Sequence, residues 1–389
     1  SGAIGYITNV LAVRMMFYPL KFVGIPPYLG WQGIVPANAI GLAKRGLSLI
    51  TERLLKIDEV LAGSDPEQFL GPVEDRLKAQ TREMLTTQAE ARMAPMWGAL
   101  GDSVKEQVHG MAWTEVSGMA KNVVSQIMAK SSEILNLQAI VTRAVTKKPE
   151  ILVRMFLEIG RKEFGFIKNS GWWFGLAFGL VQLAVWVIFP KWWVLPLFGF
   201  LVGYATNWVA LKLVFEPQEP KKVGPFTIQG LFHRRQKEVA QEFARLTTED
   251  VFNDANLFDE LQTPQARAQI LAIVEAEADA LVERYKSHPM AMGMMTPELV
   301  ESVRGEVLAS VTAELFQEGG VLSGITAQSE KIREMLHTRM MDLDPAGFES
   351  VLRPAFQQDE WKLILAGAVL GGVAGTLQLV FLFGQSLGG

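Results

Sequence analysis

The sequence predicts an all-α integral membrane protein of two tandem parallel repeats, each an entry transmembrane helix, a long helical cytoplasmic domain and an exit transmembrane helix. Three observations predict it. A fifteen-residue pattern occurs twice without a gap, as Gly5-Tyr-Ile-Thr-Asn-Val-Leu-Ala-Val-Arg-Met-Met-Phe-Tyr-Pro19 and as Gly203-Tyr-Ala-Thr-Asn-Trp-Val-Ala-Leu-Lys-Leu-Val-Phe-Glu-Pro217, 198 residues apart in a chain of 389. Uncharged runs of about the length that crosses ~30 Å of hydrocarbon alternate with highly charged stretches. Between those runs apolar residues recur at helical spacing, with no sustained two-residue alternation to argue for a sheet.

The first element, residues 1–18, carries the motif but is free of charge only from Ser1 to Val13. In the second copy the apolar run starts eleven residues before Gly203, whereas four residues precede Gly5. The expectation is that about seven or more residues of this helix lie before Ser1. Pro19 ends the helix. The stretch Lys21-Phe-Val-Gly24-Ile-Pro26 with Trp31-Gln32-Gly33, and its likeness Lys222-Val-Gly224-Pro225-Phe226 with Ile228-Gln229-Gly230, suits either a loop at the bilayer interface or an ordinary connector packed on protein.

The helical domain of repeat 1 is expected over 20–168. Leu47, Ile50, Leu54, Ile57 and Leu61 follow a 3-4-3-4 spacing, with breaks at Gly63-Ser-Asp-Pro66, near Pro95 and at Lys147-Lys-Pro149. The exit helix, 171–190, closes a repeat of residues 1–190. After Lys191 the second repeat, 191–389, opens with a transmembrane helix at 192–215. Its helical domain, 218–360, places Ile270, Leu271, Val274, Ala278, Leu281, Val282 and Tyr285 on one arc, with Glu275, Asp279 and Glu283 opposite. Breaks are expected at Thr263-Pro264, His288-Pro289, Thr296-Pro297 and Asp344-Pro345. The exit helix is 363–384, and Gly171/Gly367, Gly175/Gly371, Gly179/Gly375 and Gln182/Gln378 match at an offset of 196.

Two crossings per repeat give both copies one orientation, related by a pseudo-two-fold axis along the membrane normal. Arg14, Lys21, Lys162, Lys168, Lys212, Lys221, Lys222 and Lys362 flank the domain side against Lys191 in the hairpin turn, so the positive-inside rule places a multi-pass protein in a bacterial inner membrane with cytoplasmic domains.

On a helix, Gly203, Thr206, Asn207 and Ala210 form one stripe, extended by Gly199, and Ser1, Gly5, Thr8, Asn9 and Ala12 form its counterpart. The exit helices give the stripes Gly171, Gly175, Gly179, Gln182 and Gly367, Gly371, Gly375, Gln378. Small faces let backbones approach in lipid, and amides add interhelical hydrogen bonds. The bland reading is a packed four-helix core; the sharper one is a polar axis for an ion or small solute. No Asp, Glu or His lies inside a span, which argues against a pump. Arg14 and Lys212 snorkel to the headgroups or, with Lys21 and Lys222, bind them specifically. Met93, Met96, Met111, Met119 and the cluster Met290, Met292, Met294, Met295 suit a core or a lipid groove.

A net charge of −4 leaves no basic footprint for nucleic acid, and the absence of Cys excludes disulfides, thiolate metal sites and Cys nucleophiles. His109, His233, His288 and His337 are too far apart for a local metal motif. No phosphate-cradling loop, nucleophile elbow or zinc-protease motif is present, and Glu275, Glu277, Asp279 and Glu283 fit a solvated helix edge. Neither catalysis nor a cofactor is expected.

With Gly-Tyr-x-Thr-Asn-x-x-Ala and Phe-x-Pro present twice, and the Gly-x-x-x-Gly-x-x-Gln exit helix at the C-terminus, the chain resembles, over essentially its whole length, the bacterial membrane family of domain of unknown function 445, which includes YheB-like and YjiN-like proteins. Gly203 to Pro217 departs from it at Glu216 and lacks the Met-Met pair. The resemblance implies an integral membrane protein with a large helical part and brings no reaction. The expected function is a non-enzymatic scaffold or lipid-handling, envelope-organising protein, with membrane lipids as partners in a homo-oligomer or larger membrane complex. The alternative is a channel or carrier using the Asn/Gln-lined axis.

Overall fold

The computed structural model of the protein describes residues 2–25, 29–286, 297–357 and 360–383. The chain forms two compact units, and each draws on both sequence halves. Unit 1 comprises Ser1–Leu55, Val141–Asp250 and Arg333–Gly389; unit 2 comprises Lys56–Ile140 and Val251–Ile332.

In chain order, unit 1 begins with α1 (Gly2–Phe17), an antiparallel hairpin of β1 (Val23–Ile25) and β2 (Leu29–Trp31), α2 (Ile34–Ala37) and α3 (Ala39–Leu49). Unit 2 then takes α4 (Ile57–Ala62), α5 (Pro66–Leu70), α6 (Glu74–Ala99), α7 (Asp102–Ala129) and α8 (Ser131–Ile134), and α9 (Leu137–Lys147) leads back. In unit 1 follow α10 (Glu150–Ile159), α11 (Arg161–Ile188), α12 (Val194–Phe215), a second hairpin of β3 (Lys221–Val223) and β4 (Phe226–Ile228), and α13 (Gln236–Asp250). Unit 2 is completed by α14 (Asp254–Leu261), α15 (Pro264–Lys286), α16 (Pro297–Phe316) and α17 (Val321–Thr326). After α18 (Ser329–Met341), α19 (Pro345–Gln357) and α20 (Glu360–Phe383) close unit 1.

Helix starts follow local chemistry. The Asp65 carboxylate accepts from Glu67 N at 3.0 Å, and Pro66 occupies the first helical position, where no N–H is needed. Asn253 caps α14 by accepting from Asn256 N at 2.9 Å. Pro264, Pro297 and Pro345 open α15, α16 and α19. Pro95 does not break α6; the helix runs through a kink, with Met93 at φ −135° and ψ 32°, because the proline ring displaces the carbonyl one turn back.

Three expectations are corrected. The stripe Leu47 to Leu61 is buried as expected, yet it is not one helix: a π-helical turn at Ile50–Leu54 and extended backbone at Leu55 and Lys56 separate α3 from α4. The first exit helix starts at Arg161 rather than 171, continuous with three polar turns. The two stretches after the entry helices are β-hairpins, whose three-residue strands are too short to show alternation. Ser1, the His288-Pro289 break and Met290, Met292, Met294 and Met295 lie outside the described residues.

Among the described residues, three helices are long and apolar enough to cross a membrane: Arg161–Ile188, Val194–Phe215 and Glu360–Phe381. Gly2–Phe17 is apolar but shorter. In unit 1, α1 packs on α11, α12 on α20, α11 on α12 and α1 on α20, which closes a ring of four helices. Beside this ring α10 packs on α13 and α19 on α3, so an element from each half rests on one from the other. In unit 2, α7 packs on α5, α6 and α15, and α16 on α6 and α15. Its core holds Met119, Val123, Val124, Ile270, Val274, Leu315 and Leu322, each at most 2% exposed.

Candidate functional site

The sequence-selected stripes meet in the four-helix ring of unit 1. A methyl group at Gly5 would collide with the carbonyl of Gly171, one at Gly203 with that of Gly367 and one at Gly199 with that of Gly371, so entry and exit helices touch backbone to backbone. Gly175 is adjacent to Gly5 in this seam, and Gly375 meets the carbonyl of Leu195. Asn9 Nδ2 donates to Ile167 O at 2.7 Å, and Asn207 Nδ2 donates to Leu363 O at 2.9 Å. Both amides are buried, and each binds the helix that its own seam already approaches. Thr8 donates within its own helix, to Gly5 O at 3.0 Å. Gly179 is buried on α11. Thr8, Asn9, Gln182, Thr206 and Gln378 line a small space of ≈ 40 Å³, in which Gln182 Nε2 and Thr206 Oγ1 have no hydrogen-bond partner among the described residues.

Below the ring, unit 1 contains a buried ionic corner that sequence reasoning missed. Glu349, 2% exposed, accepts from Gln218 Nε2 at 2.6 Å, lies 3.1 Å from His233 Nε2, and is bound by Arg353 on its other oxygen. Phe232 and Phe348 stack at 4.8 Å beside it. Nearby, Arg235 Nη1 donates to both oxygens of buried Glu163 at 2.7 Å. Full pairing makes a carboxylate tolerable at such depth. A signal was available: polar Gln218, Glu349 and Arg353 occupy positions that are apolar Leu20, Val153 and Leu157 in the other half.

In unit 2, α6, α7, α15 and α16 frame a partly open cavity of ≈ 460 Å³ lined by Met84, Leu85, Met93, Trp97, Met111, Val116, Leu281, Val282, Val300 and Val303, of which Met111 is exposed. An apolar cavity of about 150 Å³ accepts benzene, and ligand pockets run from about 300 to 1,000 Å³. The kink at Met93 brings that side chain and Trp97 to the wall, while Met119 belongs to the solid core and Met96 is exposed. The polar groups of the wall are already engaged. Thr81 Oγ1 donates to Leu77 O at 2.7 Å, Gln88 to Glu306, and Arg304 pairs with Asp279 at 2.5 Å, while Glu115 lies 3.7 Å from Arg284. Such a wall offers apolar contact and no free polar partner.

Behind Trp97, His109 meets its ring edge at 5.7 Å. Thr86 donates its hydroxyl proton to Arg82 O at 2.8 Å, so the imidazole Nε2, 3.1 Å from Thr86 Oγ1, is the donor in that pair. The other nitrogen, Nδ1, is then an acceptor without a hydrogen bond. Burial holds His109 below its ordinary 6.5, with Arg82 adding to the depression and Glu106 opposing it. Among the described residues no three His, Asp or Glu side chains converge on a metal-sized site.

Of the proposed headgroup contacts, Arg14, Lys21 and Lys222 are exposed. Lys212 instead pairs with Glu216 at 3.6 Å, and its ammonium lies 5.2 Å from the Trp208 ring centroid.

The chain is similar to proteins named UPF0754 membrane protein. That of Exiguobacterium sibiricum is 23% identical over 201 residues, covering 47% of this chain and 53% of the relative. That of a Synechococcus species is 31% identical over 179 residues, covering 43% and 40%. One from Bacillus cereus is 21% identical over 196 residues, covering 49% and 52%. The chain spans about half the length of the curated relatives it matches. No family model matches the chain, and no solved structure matches it. The relatives support a bacterial membrane protein. They do not carry the domain-of-unknown-function or YheB-like name, and each match covers about half of this chain rather than its whole length.

Proposed function

We propose that the protein is a non-enzymatic scaffold or lipid-handling protein of a bacterial inner membrane, in which unit 2 accepts the hydrocarbon part of a lipid. In this reading the halves are tandem parallel repeats about a pseudo-two-fold axis along the membrane normal, the helical domains face the cytoplasm, and the partners are membrane lipids, within a homo-oligomer or larger membrane complex. The carrying observation is the ≈ 460 Å³ apolar cavity whose polar wall groups are each engaged by a residue outside the wall. The matching seams, Gly5 on Gly171 with Asn9 on Ile167 and Gly203 on Gly367 with Asn207 on Leu363, support the repeat.

The test uses the full chain in nanodiscs with a fatty acid bearing a photoreactive diazirine. Crosslinks are expected in peptides of α6, α7, α15 and α16, and Ala112→Trp, which fills the cavity, is expected to remove them without shifting thermal unfolding. Labelling confined to α11, α12 and α20 would sink the reading.

The channel reading draws on the ≈ 40 Å³ space with its unpartnered Gln182 and Thr206 atoms. Asn9 and Asn207 favour packing over permeation, because their donors are used on backbone carbonyls. Gln182→Leu is expected to leave solute flux into proteoliposomes unchanged; a changed flux from folded protein reverses the ranking.

A further inference from the structure

The two hairpins of unit 1 are held against the ends of membrane helices and carry apolar side chains outward. Gly33 N donates to Pro19 O and Gly230 N to Pro217 O, both at 2.9 Å. Gln32 Nε2 donates to Leu20 O at 2.8 Å, and Gln229 Nε2 donates to Gln218 O at 3.0 Å. These bonds tie each hairpin to the turn that leaves its helix, β1 six residues after α1 ends and β3 six after α12 ends. The outward face of the first hairpin includes Val23 at 63% and Ile25 at 70% exposure, and the second offers Ile228 at 41%. Nothing in water rewards such exposure.

The charges point the same way. Some other cations of unit 1 are answered by protein carboxylates, Arg154 by Glu158 and Asp250, Lys162 by Glu238, Arg235 by Glu163, and Arg245 by Glu242 and Glu249, while exposed Lys44, Arg161 and Arg234 have no carboxylate partner among the described residues. Arg14, Lys21, Lys221 and Lys222 are exposed at the helix ends and hairpins, with no carboxylate partner among the described residues. Apolar side chains beside unanswered cations, continuous with helices that enter the bilayer, fit the headgroup layer of a leaflet rich in negative charge. We propose that both hairpins lie in that layer and that Arg14, Lys21, Lys221 and Lys222 bind the phosphates of anionic phospholipids. The inference rests on α1 and α12 being membrane helices and is independent of the cavity in unit 2.

The chain has no cysteine, so Ile25→Cys and Ile228→Cys each accept a single spin label, with exposed Glu83→Cys as the aqueous reference. In nanodiscs of mixed phosphatidylcholine and phosphatidylglycerol, the hairpin labels are expected to be several-fold less accessible to a water-soluble nickel relaxant than the reference. Native mass spectrometry of the same discs is expected to find phosphatidylglycerol retained several-fold above its disc ratio, and Lys21→Gln with Lys221→Gln and Lys222→Gln to return it to that ratio. Hairpin labels as open to nickel as the reference overturn the proposal. So does equal lipid retention by native and triple-variant protein, or retention at the disc ratio in both. Diazirine crosslinking in the unit 2 cavity is unaffected by either result, so the two readings fail separately.

Discussion

Unit 1 contains a similar corner twice, once apolar and once charged. In the first, α2 packs on α10; in the second, the turn His233–Arg235 packs on α19. Sequence register pairs Leu20 with Gln218, Pro36 with His233, Val153 with Glu349 and Leu157 with Arg353. Val153 is 3% exposed and Glu349 2%, so the depth is the same and only the chemistry differs. The comparison teaches that buried interfaces at matching sequence positions are filled either way, provided that the polar version leaves its carboxylate engaged. An apolar corner tolerates small shifts of its contacts, whereas a carboxylate held by three donors from separate segments tolerates one alignment.

The largest expected effect comes from breaking the charged corner halfway. Glu349→Val should destabilise the protein by about 3 kcal/mol, because buried His233 is left without its partner and half-buried Arg353 loses its acceptor. Converting the corner to its sister's chemistry, Glu349→Val with His233→Leu and Arg353→Leu, should recover all but about 1–2 kcal/mol. Chemical unfolding in detergent reads both, and a triple variant no better than the single one would end the equivalence of the corners.

Next come the glycine seams, where the halves should behave alike. Gly5→Ala and Gly203→Ala each force a methyl group onto a carbonyl and should cost about 1–3 kcal/mol. Asn9→Leu and Asn207→Leu should cost less, about 0.6 kcal/mol and at most ~1.7, the range of interhelical hydrogen bonds in a membrane. Unequal losses between the halves, measured by thermal unfolding in nanodiscs, would extend the difference between corners into the membrane.

The smallest effect contrasts two histidines, buried His233 beside a carboxylate and half-buried His109 hydrogen-bonded to a hydroxyl. His109 titrates below 6.5 in the folded protein, so as pH falls through 6.5 the unfolded chain takes up the proton first. Stability of unit 2 present above that pH is therefore lost as pH drops toward the folded value. Hydrogen exchange in α6 and α7 should rise between about pH 7 and pH 5.5 and flatten in His109→Gln.

How much of this was legible in the sequence follows from how local each signal is. Span length and the Gly, Thr and Asn stripes are properties of single helices, so Asn9 and Asn207 could be assigned to one helix face from the sequence; both side chains are buried. Periodicity reports which side chains are buried and is silent on continuity, so Leu47 to Leu61 read as one helix although the backbone breaks at Leu55. Charge composition concealed the continuity of α11, since Lys162 and Lys168 look like the end of a span. Interleaved units, the Glu349 corner and the cavity depend on pairings across more than a hundred residues, which no local window contains. Met93 and Met111 were visible one by one, and only the packing of kinked α6 beside α7 brings them to one wall.

That continuous α11 has a mechanical consequence. Twenty-eight residues of helix make a rod about 42 Å long, clamped near its start where Arg235 grips Glu163 and held farther on by Gly171 against Gly5. The two grips are about 12 Å apart along one unbroken helix, so the direction of the apolar length beyond Gly171 is set by contacts made at its polar start.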